Sequence, residues 1–144
     1  MRGDVAEAVA ALDLHKTFRT RRGATIRAVD GISFSLAQGE LFSLLGPNGA
    51  GKTTTISMLC GLLTPTSGQA MIRGISMTRH PLDAKQHIGV VPQEIALYPR
   101  LTARQNLQFF GRMYGLAGAD LDERVTELLG FVELADREIG RAHV

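Results

Sequence analysis

Apolar and polar residues alternate over much of the stretch from Ala10 to Gln38, which predicts strands. Ala11-Leu12-Asp13-Leu14-His15 alternates, and Lys16-Thr17-Phe18 leads into a basic turn, Arg19-Thr20-Arg21-Arg22-Gly23. The strand pattern resumes from Ile26 to Val29, and Ile32-Ser33-Phe34-Ser35-Leu36 sets apolar side chains on one face and hydroxyls on the other. These runs predict a small antiparallel sheet. Glu40-Leu41-Phe42-Ser43-Leu44-Leu45 is shorter and mostly apolar, as in a strand buried inside a sheet. From Thr53 to Leu63 the period lengthens to that of a helix, with Ile56, Leu59, Cys60 and Leu63 on one face. After a breaker-rich turn, Gln69 to Arg73 and Ile88 to Val91 predict two more strands, the second β-branched enough to be central. Thr102 caps a predicted helix running to about Tyr114, with Leu107, Phe110 and Tyr114 on its inner stripe. Leu121 to Leu129 predicts another helix, with Leu121, Val125, Leu128 and Leu129 facing the core. From Val132 onward no period is evident.

Between the apolar Glu40–Leu45 run and the following helix stands Gly46-Pro47-Asn48-Gly49-Ala50-Gly51-Lys52-Thr53, which fits the phosphate-loop pattern G-x-x-x-x-G-K-[ST] at every fixed position. Gly46 and Gly51 let the backbone turn tightly and approach phosphate oxygens closely. The backbone N–H groups and the positive end of the new helix make the loop an anion cradle. Lys52 is placed to reach the β- and γ-phosphates, and the Thr53 hydroxyl to ligate the Mg²⁺ that bridges them. A strand before the loop and a helix after it distinguish this reading from a chance Gly-rich turn.

Composition narrows the setting. The 144 residues suit one domain or a piece of a larger one, and 44% hydrophobic with 21% charged residues describes a chain that builds a core. Sixteen basic against fourteen acidic residues give a net charge of +2, too weak to argue for nucleic acid or an anionic membrane surface. Cys60 is the only cysteine, so no internal disulfide forms, and its place on an apolar helix face suggests an inert thiol in a reducing compartment. Asp4 and Glu7 interrupt the apolar residues at the start, unlike a signal peptide, and no run approaches a membrane span. Any tie to a membrane is therefore expected through a partner. The Arg19, Arg21 and Arg22 cluster fits a solvated hairpin tip better than an anion site.

Three stretches taken together carry a resemblance: the loop with Thr54-Thr55 after it, "LLTPTSGQAMIRG", and "IGVVPQEIALYPRLTARQNLQFFGRMYGL". They resemble the ATP-binding subunit of an ABC transporter, from about Leu12 to the end, with the nearest likeness to subunits serving drug, polysaccharide and ABC-2-type exporters. The resemblance implies an α/β fold: a phosphate-loop NTPase core of RecA type over about 41–93, an N-terminal antiparallel β-subdomain over about 10–40, and the start of a helical subdomain over 94–144. It implies ATP and Mg²⁺ as cofactors. Gly46, Pro47, Asn48, Gly49, Ala50, Gly51, Lys52, Thr53 and Thr54 would hold the phosphates, Thr54 at the α-phosphate. Phe18 stands where the family stacks an aromatic ring, usually Tyr, on adenine; the alternative is a core-edge aromatic of the hairpin. Gln93 matches the glutamine that contacts Mg²⁺ or the attacking water and couples the site to the membrane subunit; the alternative is a polar loop residue. Lys52 and Gln93 would be the catalytic groups, and Thr53 and Gln93 the metal ligands. The implied partners are a transmembrane permease and a second ATP-binding subunit, with the protein at the cytoplasmic face of the membrane through that partner.

Two departures qualify the resemblance. Gln105 stands where these exporters commonly carry Glu. The chain also contains no signature motif, Walker B carboxylates or switch histidine. The expectation is an N-terminal piece that holds nucleotide weakly, does not turn it over, and exposes a sheet edge that makes it marginally stable. Competing readings are a soluble ABC protein of translation or repair, another phosphate-loop protein such as a GTPase or nucleotide kinase, and an inert truncated product. A GTPase would carry an Asn-Lys-x-Asp run, which is absent, and kinases lack the antiparallel front sheet.

Overall fold

In a computed structural model of the chain, which describes residues 7–94 and 96–134, the alternating stretch forms two 13-residue strands, β1 (Glu7–Arg19) and β2 (Thr25–Ala37). They pair antiparallel from Glu7–Ala37 to Arg19–Thr25, and Thr20 N–H closes the basic turn by donating to the Ala24 carbonyl at 2.8 Å. The two predicted runs of the return strand are one continuous element that accommodates irregularities in register. Pairing passes from Leu14–Ile32 to His15–Asp30, and again from Lys16–Val29 to Thr17–Arg27, skipping Gly31 and Ala28. β1 also pairs with β3 (Ser67–Ile72), which pairs with the two-residue β4 (Ile75–Ser76), giving an antiparallel sheet of order β2-β1-β3-β4.

The chain divides into two compact units at Val91/Pro92. In the first, one face of the sheet is covered by α1 (Lys52–Leu59) and α2 (Pro81–Lys85). Ala11, Leu14, Val29, Ala70 and Ile72 from the strands meet Met58, Met77 and Ala84 in the core. Removing side chains the size of Leu14 and Met58 from water stabilises the fold by about 2 kcal/mol each. The buried face of α1 is set by Thr55 and Met58, whereas Ile56, predicted to face inward, is exposed. The helix is only eight residues long and its seating on β2 at Gly51 fixes its rotation, so Leu59 and Leu63 reach the core only partly.

Two predicted strands do not form ladders among the described residues. Residues 40–45 and 88–91 run without strand hydrogen bonding, with Leu41 96% and Val91 97% exposed. A buried strand exists only where neighbours pair with both its edges, and the antiparallel sheet supplies none to either segment. What holds 40–45 in place is side-chain contact instead. The Phe42 ring stacks on Phe34 of β2 with centroids 5.0 Å apart, and the Glu40 carboxylate accepts from Ala37 N–H at 2.8 Å. Ile88 packs against the core beneath the sheet.

The second unit contains α3 (Ala103–Met113) and α4 (Gly118–Phe131). Thr102 caps α3 as the sequence predicts, and Gln105 completes a capping box: Thr102 Oγ1 accepts from Gln105 N–H, and Gln105 Oε1 from Thr102 N–H at 2.9 Å. Leu121, Val125 and Leu129 of α4 are buried against Ala103, Leu107 and Leu116. Tyr114, predicted on the inner stripe, is 83% exposed, because α3 has already ended and the chain turns away at Gly115. The short β4 and α2 lie below the length at which hydrophobic period is legible.

Candidate phosphate-binding site

The candidate site is the turn between the Phe42-anchored segment and α1. Ala50 N–H donates to the Pro47 carbonyl at 3.2 Å, closing the tip of the loop. Gly51 is the N-cap of α1 with φ 82°, a left-handed conformation that costs any other L-residue. A Cβ there would also lie 2.3 Å from the Ala28 carbonyl oxygen. The glycine is thus required by the seating of the loop on β2, at the residue that strand pairing skips. At the other end, a Cβ on Gly46 would come to 3.3 Å from that of Ala50.

The helix start presents unpaired donors to an anion. No side chain caps α1, and there is no acidic residue in its first turn. An uncapped helix start presents backbone N–H groups with no intrahelical acceptor, together with the positive end of the helix dipole. Lys52 Nζ donates to the carbonyls of Gly46 at 2.6 Å and Pro47 at 2.7 Å. An ammonium has three protons, so one remains for a phosphate oxygen while the other two brace the loop. Thr53 is exposed and Thr54 half-buried at the mouth of this turn, whereas Thr55 is fully buried and its hydroxyl donates to the Gly51 carbonyl at 3.0 Å. Thr55 therefore ties the first turn of the helix to its cap. Its place four residues after Gly51 is the spacing for that bond.

Phe18 lies near the turn end of β1, 39% exposed, paired with Ile26 two residues along β2 from Ala28. At about 3.3 Å per strand residue, this sets the backbone of Phe18 roughly 7 Å along the sheet from Ala28, on which Gly51 rests. Lys16, which the sequence reading passed over, holds its ammonium 5.3 Å from the ring centre. Gln93 belongs to the second unit and is exposed in the bend after Val91. Arg21 and Arg22 are exposed in the hairpin turn, as expected of a solvated tip. Cys60, half-buried at the end of α1, has its thiol pushed above its ordinary pKa by desolvation, which disfavours the reactive thiolate. Among the described residues, no helix is long and apolar enough to cross a membrane.

Comparison with known proteins shows the family. Residues 29–143 match the family described as ABC transporter. The chain is 55% identical to the linearmycin resistance ATP-binding protein LnrL of Bacillus subtilis over 109 residues, covering 76% of this chain and 35% of that protein. Against the probable multidrug ABC transporter ATP-binding protein YbhF of Escherichia coli it is 45% identical over 109 residues, 76% of this chain and 19% of the relative. The chain thus spans about a third or less of the length of these relatives. Among solved structures, the ATP-binding cassette MJ0796, described as a dimeric post-hydrolysis state bound to ADP and Pi, superposes with a TM-score of 0.73 at 28% identity, over 94% of this chain and 60% of the other. The α/β fold with an antiparallel sheet and helices, part of a phosphate-loop ATPase cassette, agrees with the fold expected from sequence.

Proposed function

The chain belongs to the ABC transporter family, and on that premise we propose that residues 46–54 bind the phosphates of ATP with Mg²⁺, energising export of a substrate through a partner membrane protein. The observation that carries the proposal is the uncapped start of α1, with Gly51 seated on Ala28 and Lys52 braced by two loop carbonyls. Such a turn offers an anion several N–H donors and one positive charge without reorganising.

In this reading the loop backbone and Lys52 hold the β- and γ-phosphates, and Thr54 the α-phosphate. The Thr53 hydroxyl would hold Mg²⁺, which would supply charge neutralisation at the phosphates; Gln93, the other ligand expected from sequence, belongs to the second unit. Phe18 stacks on adenine. Positioning and charge stabilisation dominate phosphoryl transfer, and the residues named here supply binding and positioning. The resistance and multidrug designations of the relatives support an export role. The dimeric cassette supports pairing with a second ATP-binding subunit. A membrane partner would hold the protein at the cytoplasmic face. We also take 10–40, 41–93 and 94–144 as the β region, the phosphate-loop core and the start of the helical subdomain, residues 135–144 of the last lying outside the described residues.

The test is a calorimetric titration of Mg-ATP into the parent and into Lys52→Ala. The variant is expected to bind at least about tenfold more weakly, the scale of one lost charge-assisted contact. Equal affinities would overturn the assignment.

A further inference from the structure

The face of β1 that carries Phe18 also carries Lys16, two residues earlier and therefore on the same side of the strand. The Lys16 ammonium is held there by a 2.6 Å hydrogen bond to the carbonyl of Thr64, in the turn that returns from α1 to β3. That turn is stitched to β1 twice more. Thr66 N–H donates to the His15 carbonyl at 2.8 Å, and Thr17 N–H donates to Thr66 Oγ1 at 3.0 Å. Lys16 is thus a fixed cation rather than a free surface lysine, and it stands 5.3 Å from the centre of the Phe18 ring. A half-exposed phenylalanine at the end of a hairpin has no hydrogen bond to orient it. The cation supplies an orientation and takes up one side of the ring.

We propose that Lys16 is the positioning residue for the nucleobase: its ammonium covers one face of Phe18 and leaves the opposite face as the only stacking surface. The inference rests on the reading of Phe18 as the base-stacking ring and adds the residue that aims it. Two physical effects act in the same direction. Fixing the ring removes a rotational cost that base binding would otherwise meet. The cation also draws on the ring quadrupole, a contact that persists only while the ring keeps its place. Because the Thr64 carbonyl that anchors Lys16 lies in the turn between α1 and β3, the aim of the ring is tied to the connection that leaves the helix of the phosphate loop.

The experiment separates base from phosphate. Mg-ATP and Mg-tripolyphosphate, which has no base, are titrated into the full chain for the parent, Lys16→Met, Lys16→Arg, Phe18→Leu and the double variant Lys16→Met/Phe18→Leu. Lys16→Met is expected to lose about two- to fivefold in ATP affinity, the size of an exposed cation–π contact, with tripolyphosphate affinity unchanged. Lys16→Arg keeps the cation and restores ATP binding, and in the Phe18→Leu background Lys16→Met has no further effect on ATP. Equal losses for ATP and tripolyphosphate would mean that Lys16 acts on the phosphates or on folding, and the inference would fall. An undiminished effect of Lys16→Met without the Phe18 ring would sink it equally. If the parent binds neither ligand, the phosphate-loop reading itself fails and the inference goes with it. If the parent binds both with the same affinity, only the base-positioning claim is lost.

Discussion

Gly51 rests directly on the Ala28 carbonyl of β2, so closely that a single added methyl would stand 2.3 Å from that oxygen. The usual reason for glycine in a phosphate loop is the approach of the ligand; here the neighbouring strand alone already requires it. Gly51→Ala combines a left-handed conformation, worth about 1 kcal/mol or more, with a backbone overlap that only displacement of the loop can relieve. We expect a loss of more than about 2 kcal/mol in stability and loss of ATP binding together, measured by denaturant unfolding and titration. A variant of parental stability would show that the loop does not sit on β2 in this way.

The Thr53 hydroxyl is the metal ligand proposed on this side of the nucleotide. Thr53→Ser keeps the oxygen, whereas Thr53→Val keeps the shape and removes it. ATP affinity measured with Mg²⁺ is expected to drop at least about tenfold in Thr53→Val, since losing a ligand costs no less than losing one of the outer partners that orient it, and to stay near parental in Thr53→Ser. In EDTA the three proteins should bind alike. A Thr53→Val deficit of the same size in EDTA would assign the hydroxyl to the phosphates and not to the metal.

How far the chain was legible follows from the range of each signal. The β1–β2 hairpin, the Thr102 cap and the Leu121–Val125–Leu129 stripe were readable because each is written within a few residues. The segments 40–45 and 88–91 were not, because a ladder depends on partners elsewhere in space, and apolar character alone cannot supply them. The phosphate loop was recognisable as a pattern, yet the contact of Gly51 with Ala28 was not, since it joins residues from two elements. Gln105 looked like a lost charge and is instead half of a capping box, where amide and carboxylate oxygens serve alike. Lys16 and Phe18 read separately as a basic and an aromatic residue, and only the fold of the Thr64 turn makes them a pair.

That capping box gives a third prediction. Thr102→Ala removes the acceptor for the Gln105 amide and leaves a helix-start donor without its partner. A cost of about 1 kcal/mol is expected, seen as a lower melting temperature of the unit that contains α3. Gln105→Glu keeps the reciprocal bond and adds a negative charge at the positive end of the helix, so it should be neutral or slightly stabilising. A destabilised Gln105→Glu would contradict the geometry.

Acid should loosen the hairpin. The Arg27 hydrogen bond, opposed by slight desolvation and reinforced by the charges of Arg27 and His15, holds the Asp30 carboxyl below its ordinary value of 3.8. A carboxylate depressed in the folded state contributes stability that is fully present above its unfolded pKa and is lost as pH falls through the folded one. The melting temperature is therefore expected to decline below about pH 4, with part of that decline absent in Asp30→Asn. Asp30 is exposed, so solvent screening keeps the effect small. An unchanged pH profile in the variant would show that the cluster contributes nothing measurable.

Asn106 is where the second unit is most vulnerable. It is only 2% exposed, the fourth residue of α3, and an asparagine inside a helix normally costs stability. Its side chain serves the preceding loop. Oδ1 accepts from Tyr98 N–H at 2.8 Å, and Nδ2 faces the carbonyls of Tyr98, Leu101 and Thr102 at 3.1, 3.3 and 3.1 Å. Two amide protons shared among three carbonyls make at least one of these bonds bifurcated. Replacing Asn106 with Leu keeps most of the volume but takes the side-chain acceptor from the Tyr98 amide and the side-chain donor from the Leu101 carbonyl in a part-buried setting, while the Tyr98 and Thr102 carbonyls keep the backbone N–H groups of Leu101 and residue 106. The expected cost is about 2–4 kcal/mol, one lost hydrogen-bond network with the desolvation of the groups left behind. Asn106→Asp separates the two halves of the argument, because a carboxylate still accepts from Tyr98 N–H but repels the three carbonyls. Hydrogen exchange at the Tyr98 amide should then accelerate strongly in Asn106→Leu and less in Asn106→Asp, while both variants melt lower than the parent. Parental protection of that amide in Asn106→Leu would show that the loop is held by its aromatic packing, with Tyr98 edge-on to Phe109 at 4.8 Å, and not by the asparagine.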